Sequence, residues 1–237
     1  MKKVIFQDLK SIDYKKAWDY QEKLFNNVVA NKKAAVNPGT KMEEVPAGYL
    51  LFCEHPHVYT LGKSGTENNL LIDPAFLDKI NATYYRINRG GDITYHGPGQ
   101  IVGYPIIDLE RFGLQVKQYI YLLEESIIET LKKFGIYSSR LQDSTGVWLD
   151  PDIKGKSRKI CAIGVRASRY VTMHGFAFNV NTDLNYFNYI NPCGLNDKGV
   201  TSLEKELGAK QDIETVKREL GKQLSALFGF NMEDESK

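Results

Sequence analysis

Arg89 to Leu109 reads RGGDITYHGPGQIVGYPIIDL, and the strand-like run after its glycines decides the fold. Within Arg89 to Gln100, four glycines and a proline share twelve residues with Arg89, Thr94, Tyr95 and His96. Glycine removes the side chain that keeps a backbone away from a ligand, so this run predicts a binding loop; the plainer reading is a tightly turned connection. Gly97, Gly99 and Gly103 resemble a dinucleotide fingerprint, but Pro98 interrupts them and a strand-like stretch comes next where that fingerprint needs a helix. The full phosphate loop, GxxxxGK[ST], occurs nowhere in the chain.

Outward from this stretch the chain breaks into short β-rich pieces: YLLFCEH, HVYTLG, ATYYRIN, IVGYPIIDL, GVWLD, KICAIGVRAS and VTMHGFAFNV. Apolar residues at three- and four-residue steps predict helices from Ser11 to about Lys33, from about Leu114 to Phe134, and from Ile213 to Phe228. Thr201 with Glu204 predicts a capping box for a shorter helix through Leu207. Between Asn31 and Gly48 the chain is polar and carries two prolines, as an exposed connection does. Strands clustered in sequence with few helices between them favour an α+β layer fold over regular βαβ alternation.

The chain has 237 residues, enough for a substantial core and within reach of one domain, so a single domain over 1–237 is expected. Lys and Arg number 31 against 29 Asp and Glu. That balance carries no footprint of a dedicated nucleic-acid binder. No apolar run approaches the roughly 18 to 20 residues that span a bilayer, and MKKVIFQDLK is too short in apolar residues for a signal peptide. A cytoplasmic protein with no membrane partner is the expectation. Three cysteines without framework spacing suit a reducing compartment where thiols stay free.

Two residues carry the candidate chemistry, Cys193 in Asn191, Pro192, Cys193, Gly194 and Lys159 at the start of KICAIGV. The thiolate is the attacking species, and a thiol of pKa near 8.5 needs a nearby cation or base to supply it. A lysine serves for both: its ammonium favours the thiolate, and burial lowers its own pKa so that it can later take a proton from an incoming amine. The competing readings are a small buried hydrophobe for Cys193 and a solvated charge for Lys159. On a regular strand Cys161 shares a face with Lys159, which makes it a rival nucleophile. Cys53, His55 and His57 look superficially like metal ligands, yet Pro56 breaks their strand and a fourth ligand is missing, so no metal is expected.

Taken together, EHPHVYTLG (Glu54 to Gly62), RGGDITYHGPGQIVGYPIIDL, KICAIGV (Lys159 to Val165), HGFAFNVNTDL (His174 to Leu184) and INPCG (Ile190 to Gly194) resemble the lipoyl(octanoyl) transferases, in that family's order. The resemblance spans about residues 12 to 204. It implies a central mixed β-sheet flanked by helices, similar to the biotin and lipoate protein ligases. Cys193 matches the family's acyl-thioester nucleophile and Lys159 the lysine that lowers its pKa. Arg89, Gly90, Gly91, Asp92, Ile93, Thr94, Tyr95 and His96 match its substrate-binding segments, as do Ala162, Ile163 and Gly164 and then Gly175, Phe176 and Ala177. Cys161 stands where that family usually has alanine.

The implied reaction moves an octanoyl group from octanoyl-acyl carrier protein onto Cys193, then to a lysine of a lipoyl domain. The acceptors would be lipoyl domains of 2-oxoacid dehydrogenase E2 subunits and the glycine cleavage H protein. Such chemistry requires no cofactor, neither ATP nor metal. Backbone N–H groups near Gly164 or Gly175, or the side chains of His96 or His174, are alternative oxyanion donors. Tyr95, Ile163 and Phe176 are candidates for the acyl pocket, with core packing as the alternative. The rival functions are an ATP-dependent lipoate ligase, a lipoyl amidotransferase and a non-catalytic lipoyl-domain binder.

Overall fold

In the computed structural model of the chain, residues 2–34, 45–191 and 198–235 are described. In chain order the elements are β1 (Lys2–Ser11), α1 (Tyr14–Ala34), β2 (Gly48–Glu54), β3 (Val58–Leu61), α2 (Pro74–Lys79), β4 (Thr83–Arg86), β5 (Ile93–His96), β6 (Gln100–Ile107), α3 (Leu109–Phe112) and α4 (Val116–Lys133). They continue with β7 (Ser139–Leu141), β8 (Ser144–Leu149), β9 (Arg158–Ser168), β10 (Val171–Asn179), β11 (Gly199–Val200), α5 (Leu203–Leu207), α6 (Ile213–Phe228) and β12 (Phe230–Asp234).

The apolar run after Gly99 forms β6, buried at every position. A strand of that kind must be covered on both faces. Ile101 and Ile107 pack with Phe52, Leu123, Ile127, Leu220 and Leu224, whereas Val102, Tyr104 and Ile106 pack with Leu51, Ala17, Leu24 and Val28. The sheet is therefore sandwiched, with α1 on one face and α4 and α6 on the other. Its order is β12-β1-β2-β6-β10-β9-β8-β7, with β11 beside β9. β1 runs parallel to β2 and β12, and β11 parallel to β9; the other ladders are antiparallel. A second sheet, β4-β3-β5, stands beside it. This is the α+β arrangement with a mixed sheet that the sequence predicts.

α6 has the expected bounds, and Gly229 closes it in the left-handed region at φ 68°. α4 starts at Val116 under a capping box formed by Gln115 and Gln118. The box expected at Thr201 does not form; a simple cap stands one residue later. Ser202 caps α5 by accepting from Lys205 N–H at 3.2 Å, and Thr201 Oγ1 donates to the Glu206 carboxylate instead. Sequence reading also passed over β1, whose apolar residues are few, and β5, which lies inside the glycine-rich segment read as a loop. Among the described residues, no helix is long and apolar enough to cross a membrane.

Candidate functional site

A cavity of about 940 Å³ opens between the two sheets. The glycine-rich segment reaches it because the start of its backbone is pinned to both sheets. Gly62 N–H donates to Asp92 O at 3.1 Å on the small sheet, and Gly90 N–H donates to Val165 O at 2.9 Å on β9. Opposite, Gly103 on β6 lies under the Phe176 ring, where a Cβ would sit 2.0 Å from Phe176 Cζ. A side chain there would push Phe176 off the sheet and into the cavity.

Of the residues singled out in the sequence, Arg89 to Thr94, His96, Lys159, Ala162 to Gly164 and His174 to Ala177 all line this cavity. Tyr95 does not join them. The pleat of β5 turns it the other way, into the aromatic cluster under the small sheet. Its hydroxyl meets His57 Nδ1 at 2.7 Å and its ring stacks on Tyr186 at 4.9 Å between centroids. Core packing, the alternative left open for Tyr95, is its placement. Cys193 lies outside the described residues; Asn191 and Lys198, the nearest described residues on either side of it, both line the cavity.

Lys159 occupies one end of the wall. Its Nζ donates to Thr145 O at 3.1 Å and sits 4.6 Å from the centre of the Trp148 ring. Burial lowers its pKa to about 8, against smaller opposing effects of Cys161 and Glu124. An amine so placed is mostly ammonium at pH 7 yet gives up its proton readily. Room for it comes from Gly146, at φ 126°, where a Cβ would lie 2.5 Å from Cys161 O and 3.4 Å from Lys159 Cε.

Cys161 does not share this position. A bulge in the β8–β9 ladder, between the pairs Val147↔Cys161 and Trp148↔Lys159, breaks strict alternation, and Ile160 and Cys161 both enter the core. Cys161 is absent from the cavity wall, and burial pushes its thiol up, so it stays protonated. Cys53 is likewise buried, 3.4 Å from His55 Nε2. His57 stacks on Tyr186 instead, at 4.1 Å between centroids. Among the described residues, no three His, Cys, Asp or Glu side chains gather as metal ligands.

A buried polar chain stiffens the opposite wall. Arg89 Nη2 donates to Thr60 O at 2.7 Å and to Thr60 Oγ1 at 3.0 Å, and Thr60 Oγ1 lies 3.4 Å from His96 Nε2. His96 Nδ1 donates to Gln100 Oε1 at 2.8 Å, and Gln100 Nε2 donates to Asn179 Oδ1 at 2.9 Å. Burial pushes His96 down to about 3, and burial with Arg89 and Arg166 does the same to His174. Both imidazoles are neutral at pH 7, so neither puts a titrating charge on the wall. His174 Nε2 lies 2.8 Å from Asn88 Oδ1, and its backbone sits in the left-handed region at φ 60°, a cost that strands bear mainly at working sites.

Thr145, Gly146, Trp148 and Glu124 around Lys159, and Thr60 and Asn179 around His96, escaped the sequence reading. Thr60 and Asn179 stand inside EHPHVYTLG and HGFAFNVNTDL but were assigned no role there, and the others stand in no dense motif; GVWLD was legible only as a strand. The arrangement offers an extended cavity with apolar stretches such as Ile93, Val102, Ile163 and Phe176, neutral imidazoles, and in Lys159 an amine whose proton is mobile near neutrality. That suits acyl transfer to or from an amine.

The chain matches the family described as Lipoyl protein ligase A/B catalytic domain over residues 13–225. It is 53% identical to an octanoyltransferase of Cytophaga hutchinsonii over 233 residues, 98% of this chain and 96% of that protein. In fold it is similar to a bi-partite lipoate protein ligase of Thermoplasma acidophilum, with a TM-score of 0.70 at 13% identity, covering 99% of this chain and 87% of that one. A biotin protein ligase of Aquifex aeolicus matches at a TM-score of 0.51 and 14% identity, covering 96% and 70%. The mixed sheet, the cavity beside its glycine-rich wall and the near-complete match to a relative sharing half its residues thus place the chain in the lipoyl protein ligase A/B catalytic-domain family, in its octanoyltransferase branch.

Proposed function

We propose that this octanoyltransferase works as one catalytic unit over the whole chain, in the cytoplasm, taking its octanoyl group from octanoyl-acyl carrier protein and holding it as a Cys193 thioester. The acceptors are lysines on lipoyl domains of 2-oxoacid dehydrogenase E2 subunits and the glycine cleavage H protein. The observation that carries this reading is Lys159: a desolvated amine of pKa about 8 on the wall of a cavity that Asn191 and Lys198 also line, on either side of the Cys193 segment.

In the first step the Cys193 thiolate attacks the donor thioester carbonyl, and the carrier thiol leaves with the proton that Lys159 gives up, which leaves Lys159 neutral. The Lys159 ammonium favours the thiolate and balances its charge. In the second step the acceptor amine attacks the Cys193 thioester, neutral Lys159 takes the proton, and the thiolate leaves as the amide forms. Thioester to thioester is nearly balanced and thioester to amide is downhill, so neither step draws on ATP. Arg89 to His96, Ala162 to Gly164 and Gly175 to Ala177 hold the acyl chain and its carbonyl, with Tyr95 acting from behind the wall. The backbone N–H groups near Gly164 and Gly175 are the donors proposed for the oxyanion, because the one N–H of neutral His96 is given to Gln100 and that of neutral His174 to Asn88.

Intact-mass measurement after mixing with octanoyl-acyl carrier protein, without ATP, tests the reading. The wild type and Cys161→Ala gain one octanoyl group; Cys193→Ala gains none. An adduct that persists in Cys193→Ala, or is lost in folded Cys161→Ala, overturns it.

A further inference from the structure

Glu124 lies on α4, buried and outside the residues that line the cavity, and the reaction as described does not use it. Its Oε1 accepts from Gly146 N–H at 2.9 Å. The carbonyl of that same peptide unit, Thr145 O, accepts from Lys159 Nζ at 3.1 Å. Glu124 and Lys159 thus grip opposite ends of one peptide. A carboxylate on the N–H end polarises the amide and makes its oxygen a better acceptor for the ammonium. Glycine at 146, with φ 126° and no Cβ, is what lets the peptide turn its two ends to α4 and to the lysine.

The charge on Glu124 is not cancelled. Arg140 on β7 meets Glu124 Oε2 at 2.9 Å and Glu125 Oε2 at 2.7 Å, so two carboxylates share one guanidinium and the cluster keeps a net negative charge. The other groups near Lys159 are Cys161 on its own strand β9, a protonated thiol in the core, and the Trp148 ring on β8. Asp143 and Lys198 line the same cavity.

We infer that Glu124 is a positioning residue for this site, holding the Lys159 ammonium in place through the single Thr145–Gly146 peptide. The inference rests on Lys159 serving the acyl transfer, and its test separates the two. Lysine labelled at Cε and Nζ is followed by NMR across pH in a Cys193→Ala background, where no thiolate titrates alongside it; the Lys159 signal is the one missing from Lys159→Met. Glu124→Gln keeps an acceptor for Gly146 N–H but loses the charge, and the Lys159 midpoint falls by about one pH unit, as expected for one charge at an effective dielectric of about 20.

Glu125→Gln, which removes the other Arg140 partner but leaves the peptide link intact, moves the midpoint by less than half as much. In the Cys193 protein, Glu124→Gln slows octanoyl adduct formation about three- to tenfold with KM unchanged. An unmoved Lys159 midpoint overturns the inference, even where adduct formation slows, because a merely structural Glu124 would give that result. Should Glu124→Gln not fold, Glu124→Asp retracts the charge by one methylene and is read in the same way. Full acyl transfer by Lys159→Met would overturn the role of Lys159 and leave the NMR result to judge the link alone.

Discussion

Replacing Lys159 by methionine should make the protein more stable and less active. The residue is half-buried, and desolvation of its amine holds its pKa at about 8 against 10.5 for a free lysine. Between those values the native state binds fewer protons than the unfolded chain, so the wild type gains stability as pH rises through the window; below about pH 8 the full cost of burying the charge is present. That gap is worth roughly 3 kcal/mol. Methionine keeps the apolar stem and removes the charge, but leaves Thr145 O without its donor at a cost of about 1 kcal/mol. A net gain of about 2 kcal/mol at pH 7 corresponds to a rise in Tm of about 4 to 8 °C for a chain of this size. Circular-dichroism melts at pH 7 and pH 10 measure it, and the gain should shrink to under about 1 kcal/mol at pH 10, where native Lys159 is already neutral. Octanoyl transfer should meanwhile fall at least about a hundredfold. A variant less stable than wild type at pH 7, or one whose gain is the same at both pH values, would refute this account of Lys159.

Gly146→Ala places a methyl 2.5 Å from Cys161 O at φ 126°, so strain and crowding together should cost about 2 to 5 kcal/mol, read as a lower Tm. Cys161→Ala should leave the octanoyl adduct intact and cost only about 1 kcal/mol in chemical denaturation, because its sulfur is packing rather than chemistry. Ser202→Ala should cost about 1 kcal/mol through the lost α5 cap; a larger effect from Thr201→Ala acting at Lys205 N–H would restore the cap assignment drawn from sequence.

The elements with strong local signals were legible along the chain. α6 announced itself by its 3.6-residue period and the glycine after it, and β6 by an apolar run too short for a helix and followed by Asp108. The glycine-rich segment was legible as a wall of the site because glycine's freedom is a property of the residue itself. β5 within it was not, since four residues flanked by glycines and proline carry too little pattern to separate strand from loop. The Thr201 box failed for a related reason: Thr201, Ser202 and Glu204 satisfy overlapping motifs, and only the Glu206 carboxylate beside Thr201 decides which hydroxyl caps the helix.

The site divides along the same line. The sequence, through the order of motifs that carries the family resemblance, led to the expectation that Lys159, the glycine-rich segment and the strands at Ala162 to Gly164 and Gly175 to Ala177 share one site, and the structure brings them to one cavity. Tertiary structure alone decided what those residues can do. The direction in which Tyr95 points and the withdrawal of Cys161 into the core follow from a pleat and a bulge set by neighbouring strands. The lowered pKa of Lys159 depends on the desolvation of its amine, and its link to Glu124 joins residues 35 positions apart through one peptide. Burial and hydrogen bonding are properties of surroundings, and no residue carries its surroundings in its own position along the chain.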